Sequence, residues 1–353
     1  MHVTHIIPTL SFGGAERTVV DIINSAPRGF TFSVIVFFPD TPLQAQITRA
    51  NVEVICVPKK GQLSLKLFGE IKKVLQQLEP DVVHTHLFGA DLWGRVAAHS
   101  LGIPVVSTEH NIIDNDGRIK SYVKRCLKNY SDISVACSEK VKQYMKKYYG
   151  LSDAIEVVRP GVRLSEFTSL ALPRFSSPLR CVIVGRLVEQ KGHEVALRAL
   201  AQVKGEWRLS IVGNGPLEAR LHELVEKLGL SDRVKFFPAT NAIAAVYAAH
   251  DVVLMPSKWE GLAIVALEAL AAGRPLFVSN VGGMSEIIHD GENGFLLSPT
   301  VSAFAQKIQW AFKHKAKLLS VGAQARAFAQ ENCGVERMVS QYTDIYQRLR
   351  KKK

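Results

Sequence analysis

A chain of 353 residues, 47% hydrophobic and 22% charged, is long enough for two globular cores and unlike a disordered polypeptide. It has no run of the roughly 18 apolar residues a membrane span requires, no Lys or Arg ahead of its first short apolar run, and five widely spaced cysteines (Cys56, Cys126, Cys137, Cys181, Cys333). These features predict reduced, buried thiols in a cytosolic protein and argue against a signal peptide, a disulfide framework or a CxxC site. The net charge of +12, from 44 basic and 32 acidic residues, favours an anionic partner.

In chain order, short β-rich runs alternate with helical periods. The first half predicts strands over Val3–Ile7, Phe32–Phe37, Val52–Val57, Val82–Thr85, Val105–Thr108, Ile133–Cys137 and Glu156–Val158. Helices are expected over Ala15–Ser25, Leu65–Leu78, Ala90–Ser100, Ile119–Tyr130 and Glu139–Tyr149. The aperiodic segment after Ser165, with Pro173, Ser176, Ser177 and Pro178, reads as a linker over 166–178. The rhythm restarts with strands at Leu179–Val184, Arg208–Val212, Val234–Phe237, Val252–Met255, Leu276–Val278 and Gly294–Leu297, helices at His193–Val203, Leu217–Leu228, Ala242–Ala248 and Ala263–Ala271, and the chain beyond Val301 reads as helical. Almost continuously apolar strands imply parallel sheets covered by helices on both faces. The expected fold is α/β: two Rossmann-like, doubly wound domains facing a cleft, residues 1–165 and 179–330. The last residues, 331–353, form a helix that could pack back on the first domain, followed by a basic tail.

Ligands in such sheets bind beyond the carboxyl ends of the strands, so motifs at those ends matter most. The run from Glu260 to Pro275 follows a strand and opens a helix expected from about Gly261. Glu260 would sit at its N-terminus and Glu268 two turns on, on roughly the same face. Glu268 is flanked by Ala and Leu, and a buried carboxylate is costly unless it is paired or hydrogen-bonded, for example to a ligand. In Gly185-Arg186-Leu187-Val188-Glu189-Gln190-Lys191-Gly192, two cations in a strand-to-helix turn are placed to hold a diphosphate, although such a turn alone also suits an exposed loop. Gly13-Gly14-Ala15-Glu16-Arg17 opens the first helix; it is either a structural turn or a place where phosphate or sugar approaches the backbone. It is not GxGxxG, so a dehydrogenase-type dinucleotide fold is not indicated.

Thr108-Glu109-His110-Asn111 ends a strand, as does Val83-His84-Thr85-His86. His84 and His86 share one face, which could suggest a metal, but no neighbouring Asp, Glu or Cys completes a set in the sequence. From Arg118 to Gly150 nine basic residues (Arg118, Lys120, Lys124, Arg125, Lys128, Lys140, Lys142, Lys146, Lys147) face only Asp132 and Glu139, with Tyr122, Tyr130, Tyr144, Tyr148 and Tyr149 interleaved. Arg348 to Lys353 forms a second basic cluster.

The Glu260–Glu268 spacing, followed by Ala269, Ala271, Gly273 and Pro275, resembles the signature of the retaining GT-B glycosyltransferases of family 4. Gly13–Glu16, Gly185–Gly192, the turn Gly213-Asn214-Gly215-Pro216, the turn Arg159–Val162 and the loop Val281–Gly294 resemble the family's elements, with Asn214 where the family has Asp, Pro160 where it has Asn and Ala263 where it often has Gly, so the resemblance spans the chain. It implies that Glu260, with Gly261, Leu262 and Ala263, meets the donor sugar and that Glu268 holds the ribose. It further implies that Arg186 and Lys191 hold the pyrophosphate beside Gly213, and that Gly13, Gly14 and Glu16 approach donor phosphate and acceptor. His110 would contact the donor sugar; His110, Glu260, Arg186 and Lys191 are then the catalytic candidates. The expected reaction moves a hexose from a nucleotide-diphosphate sugar, UDP favoured over GDP, to a glycan with retention and without metal or other cofactor. The expected acceptor is a lipid-linked saccharide met at the cytoplasmic face of the membrane, with the basic helices docking peripherally on anionic lipid. Two other readings share some of these features: a non-transferase of the same fold, such as an epimerase or phosphorylase, and a nucleic-acid-binding protein, which leaves the Glu pair unexplained.

Overall fold

The computed structural model describes residues 1–59, 65–112, 118–151 and 155–350. The chain forms two compact units, Met1–Pro160 with Val335–Lys353, and Gly161–Gly334. The first unit contains β1 (His2–Ile6), α1 (Gly14–Ser25), β2 (Thr31–Val36), β3 (Glu53–Cys56), α2 (Leu65–Leu78), β4 (Val82–His86), α3 (Leu87–His99), β5 (Val105–Glu109), α4 (Arg118–Cys126), β6 (Ile133–Ala136), α5 (Glu139–Tyr149) and β7 (Ile155–Val157). Its seven strands are all parallel in the order β3-β2-β1-β4-β5-β6-β7. The two-residue alternation of a strand divides the apolar side chains between two cores. Val34, Val36 and Val82 join α1 on one side, whereas Ile35, Phe37 and Val83 join α2 and α3 on the other.

The second unit contains β8 (Leu179–Val184), α6 (His193–Leu200), β9 (Trp207–Val212), α7 (Glu218–Lys227), β10 (Val234–Phe237), α8 (Ile243–Ala248), β11 (Val252–Met255), α9 (Ile264–Ala271), β12 (Leu276–Ser279), β13 (Phe295–Leu297), α10 (Val301–Ala311) and α11 (Lys315–Asn332). Its sheet is again wholly parallel, in the order β10-β9-β8-β11-β12-β13. Both units are therefore doubly wound α/β folds, with the strand order reversing between β1 and β4 in one and between β8 and β11 in the other.

The last helix, α12 (Val335–Arg350), belongs to the first unit. Its buried residues Val335, Met338, Val339, Tyr342, Ile345, Tyr346 and Leu349 recur at three- and four-residue intervals, the stripe of a helix packed on a core. They share that core with Val19, Ile22 and Ile23 of α1.

Three expectations change. The division falls at Gly161, and segment 166–178 is anchored to the second unit: Phe167 and Phe175 are buried, and the carbonyls of Leu170 and Ala171 accept hydrogen bonds from Arg326 and Arg274 at 2.6 and 2.8 Å. An irregular strap held by such bonds has no period to read. Helix α3 begins at Leu87 rather than Ala90, directly from β4, and Leu87 takes a positive φ of 68° to make that turn. Of the five thiols, Cys137, Cys181 and Cys333 are buried but Cys56 and Cys126 are exposed.

Candidate active site

In the second unit the crevice where strand order reverses lies between the loops that follow β8 and β11. Lys191 comes from the first loop and Glu260 from the second, and Lys191 Nζ donates to Glu260 Oε1 at 2.6 Å. Gln190 Nε2 donates to Glu260 Oε2 at 3.2 Å and to the Trp259 carbonyl at 3.1 Å, so the buried carboxylate is gripped on both oxygens. Gly192, next to Lys191, has φ 63°, and a Cβ there would enter the carbonyl of Pro256 after β11, so this glycine lets the two loops meet. Gly213, after β9, has φ 152°, and a Cβ there would collide with the Gly185 carbonyl. Gly282, after β12, has φ 55°, and a Cβ there would enter the Glu260 carbonyl. These two let the outer neighbouring loops close on the loop of Arg186 and Lys191 and on that of Glu260.

The helix after this loop starts at Ile264, not near Gly261, with Ala263 as an extended N-cap residue. Glu260 is therefore a loop residue preceding the helix, and the face it was expected to share with Glu268 does not exist. Gly261, Leu262 and Ala263 are buried between, and the Gly261 carbonyl accepts from Gly283 N at 2.7 Å. Glu268 is in α9 and 7% exposed, amid otherwise apolar neighbours. Tyr247 of α8 donates to Glu268 Oε2 at 3.0 Å, and burial first, then the carboxylate, raise the Tyr247 phenol pKa well above its usual value. Arg186 is exposed on the β8 loop. Gln190 and Tyr247 were not singled out in the sequence. Gln190 sits inside the cationic turn, and Tyr247 has the sequence context of an ordinary core aromatic.

In the first unit, His110 follows β5 and its Nε2 meets His86 Nδ1 at 2.9 Å. His86 Nε2 in turn meets Nδ1 of His5, on the neighbouring β1, at 3.0 Å. His84 is held by Thr108 and Tyr346, each at 2.7 Å. His5 is thus the third histidine that reading the sequence did not supply, and His5, His84 and His86 have ligand atoms within 4.8 Å of one another. Only His5 Nε2 among their ring nitrogens has no partner, so a metal ion would have to displace hydrogen bonds already made. Burial pushes the His5 pKa down to about 3 and that of His110 to about 4, and takes His84 and His86 well below the usual histidine value.

Gly13 caps α1 and Gly14 begins it. The Glu16 carboxylate lies back against Gly13 and accepts from Thr9 Oγ1 at 3.4 Å. The residue before His110, Glu109, makes a buried ion pair with Lys124, whose Nζ also donates to Tyr149 Oη at 3.3 Å. Lys124 therefore leaves the expected basic surface, as do the buried Tyr144 and Tyr149. The candidate residues thus form two sets: Arg186, Lys191, Gly213, Glu260–Ala263 and Glu268 in the second unit, and Gly13, Gly14, Glu16 and His110 in the first. The expectation of metal independence rests in part on the absence of an Asp-x-Asp pair, and that premise is wrong: the chain contains one, Asp114-Asn115-Asp116. It lies outside the described residues.

The buried imidazoles give the fold a pH dependence of definite sign. Unfolded histidines take up protons below about pH 6.5, whereas these folded ones stay neutral to lower pH. Stability is constant above that value and falls as the solution is acidified towards pH 4, by up to about 1.4 kcal/mol per pH unit for each imidazole. Urea unfolding at pH 7.5, 6 and 5 should show a falling midpoint, with a shallower fall in His5→Phe. An equal or steeper fall in the variant would remove His5 from this account.

Two family models match the chain: Glycosyltransferase Family 4 over residues 12–166 and Glycosyl transferases group 1 over residues 171–328. An uncharacterized glycosyltransferase of Haemophilus influenzae is 25% identical over 348 residues, covering 95% of this chain and 96% of that protein. A D-inositol 3-phosphate glycosyltransferase of Acidothermus cellulolyticus is 32% identical over 252 residues, 62% of this chain and 56% of that one. Among solved structures, Anabaena HepE in complex with UDP-glucose superposes with a TM-score of 0.88 at 23% identity, covering 98% of this chain and 99% of that chain. A sucrose-phosphate synthase from Thermosynechococcus elongatus gives 0.85 at 21%, covering 99% of each. The architecture is the GT-B fold.

Proposed function

Because the chain belongs to the glycosyltransferases of family 4 and group 1, we propose that it moves a hexose from a UDP-sugar to a glycan acceptor with retention at the anomeric carbon. The observation that carries the reading is the Lys191–Glu260 pair at the reversal point of the second sheet, with Arg186 on the same loop as the lysine. The UDP-glucose held by the Anabaena structure supports UDP over GDP as the nucleotide.

In this reading Arg186 and Lys191 hold the diphosphate and stabilise its charge as it leaves, while Glu260, released from Lys191, accepts hydrogen bonds from donor-sugar hydroxyls. Glu268, steadied by Tyr247, takes the ribose hydroxyls. Gly213 leaves room for the phosphates, and Gly261, Leu262 and Ala263 line the sugar. Gly13, Gly14 and Glu16 serve the acceptor side, Gly14 also nearing the donor, and His110 meets the sugar. With Glu268 engaged by ribose, front-face departure with the leaving phosphate assisting acceptor deprotonation is favoured over double displacement, which needs two carboxylates flanking the anomeric carbon. The acceptor is proposed to be a lipid-linked saccharide of a surface polysaccharide or glycoconjugate, reached from the cytoplasmic side of the membrane.

One oriented polar contact at a reacting centre is worth about 3 kcal/mol. Lys191→Ala and Glu268→Ala should each lower transfer from UDP-glucose by about 100-fold in protein that is still folded, with a lowered unfolding midpoint in Lys191→Ala because the buried Glu260 loses its cation. A folded variant with near-normal turnover would remove that residue from the site.

Cations on the phosphate loop are proposed to do the work a divalent ion does elsewhere. Transfer should therefore survive excess EDTA. Loss on chelation, restored by Mg²⁺ or Mn²⁺, would instead implicate a metal, and Asp114 and Asp116 would be the first residues to replace.

No helix among the described residues is long and apolar enough to cross a membrane. Arg125, Lys128, Lys140, Lys146 and Lys147 are exposed on α4, the turn after it, and α5, beside Tyr122 and Tyr148, 68% and 44% exposed. Each such cation contributes roughly 1 kcal/mol near an anionic bilayer, less in high salt. Vesicles containing acidic phospholipid should sediment the protein at low salt and lose it at high salt. Equal binding to neutral vesicles, or none to either, would favour a soluble acceptor.

A further inference from the structure

The three histidines His5, His86 and His110 come from β1, the end of β4 and the residue after β5, and they meet head to tail. Nδ1 of His5 faces Nε2 of His86 at 3.0 Å, and Nδ1 of His86 faces Nε2 of His110 at 2.9 Å. Each contact joins two ring nitrogens and needs one proton. A neutral imidazole carries only one proton and has one bare nitrogen. His86 makes both contacts, so it must donate in one and accept in the other. All three rings then carry their proton on the same nitrogen, either Nδ1 throughout or Nε2 throughout. A proton on any ring out of register would set two lone pairs, or two N–H groups, against each other.

The far end of the chain chooses between the two registers. His5 and His86 are fully buried, and His5 Nε2 has no hydrogen-bond partner. In the Nε2 register that atom would be a buried N–H donor with nothing to donate to; in the Nδ1 register it is only a lone pair. Orphaned buried N–H groups are the rarer and costlier defect. His84 does not enter the chain, because Thr108 and Tyr346 occupy its two nitrogens.

We propose that His5 and His86 are positioning residues that hold His110 in the Nδ1–H tautomer, so that His110 meets its ligand as a hydrogen-bond donor and not as a proton-abstracting base. The ligand atom it suits is an acceptor, such as a sugar hydroxyl oxygen or a phosphate oxygen. That last step rests on the glycosyltransferase reading of His110, whereas the tautomer itself does not. The chain keeps its meaning only while the rings are neutral, and burial maintains that state.

Free neutral histidine prefers its proton on Nε2, which makes the opposite tautomer diagnostic. The full chain labelled with ¹⁵N-histidine at pH 7.5 and analysed by two-bond ¹H–¹⁵N correlation, with signals assigned by single His replacements, reads each ring directly. His5, His86 and His110 should all show the Nδ1–H pattern. His86→Phe, which cannot donate, should return His110 to the Nε2–H pattern. His86→Gln, whose amide can still donate, should keep it at Nδ1–H. A wild-type His110 protonated on Nε2, or a His110 tautomer unmoved in His86→Phe, would overturn the proposal, and the wild-type spectrum decides even if that variant does not fold. Failure of transfer from every nucleotide sugar, with the tautomers as stated, would overturn the functional reading and leave this one standing.

Discussion

The two loops that flank the reversal point of the second sheet are joined by one ion pair, that of Lys191 with Glu260. Ion pairs so far removed from water add little net stability, because desolvating both charges offsets their attraction, yet losing one partner strands the other at high cost. Such a pair fixes loops more than it strengthens the fold. Here it ties the loop after β8 to the loop after β11, and Gln190 braces the same carboxylate from a third direction. The glycines after β9 and β12 let neighbouring loops close to backbone contact around it. In the proposed reading the pair is exchangeable: a phosphate would offer Lys191 a new partner and a sugar hydroxyl would offer Glu260 a neutral donor, so that neither charge is left bare.

The first unit solves the burial of polar groups differently. Below the end of its sheet lies a network of uncharged groups: imidazoles, the hydroxyl of Thr108 and the phenols of Tyr342 and Tyr346. Neutral donors and acceptors are far cheaper to bury than ions, provided that each finds its partner. Two buried ion pairs lie nearby: Asp91 with Arg95 within α3, and Glu109 with Lys124, which pins α4 to the strand that precedes His110. Desolvation pushes the Glu109 pKa up and Lys124 pulls it back down.

The sequence made the α/β layering legible because parallel strands buried on both faces are apolar runs, and these runs are punctuated at nearly the right places. Glu268 stood out for a physical reason, a carboxylate with apolar neighbours on every side, and its burial bears out that reading of the helix. What could not be read were the partners. Gln190 with Glu260, Tyr247 with Glu268 and His5 with His86 pair across 70, 21 and 81 residues, and no local pattern encodes them. Periodicity places α9 at Ala263–Ala271, within one residue of its true start, but the start near Gly261 that would give Glu260 and Glu268 a common face fails, because Gly261 is held in the loop by its hydrogen bond from Gly283. The charge count erred in the same direction: it placed Lys124 on a surface, whereas an acid fifteen residues earlier draws it inside.

The return of α12 to the first unit has a consequence for how the protein is made. The second unit is one continuous stretch, 161–334, and can form as soon as it is synthesised. The first is interrupted: its core contains Tyr342, Ile345, Tyr346 and Leu349, which the ribosome reaches only after the whole second unit. At about 5–20 residues per second, the strands from β1 to β7 wait roughly ten seconds or more with the face that α1 and α12 share covered by α1 alone. During that interval the apolar surface left open beside α1 is what chaperones bind and what aggregates grow from. The order of synthesis therefore makes the unit begun first the one completed last.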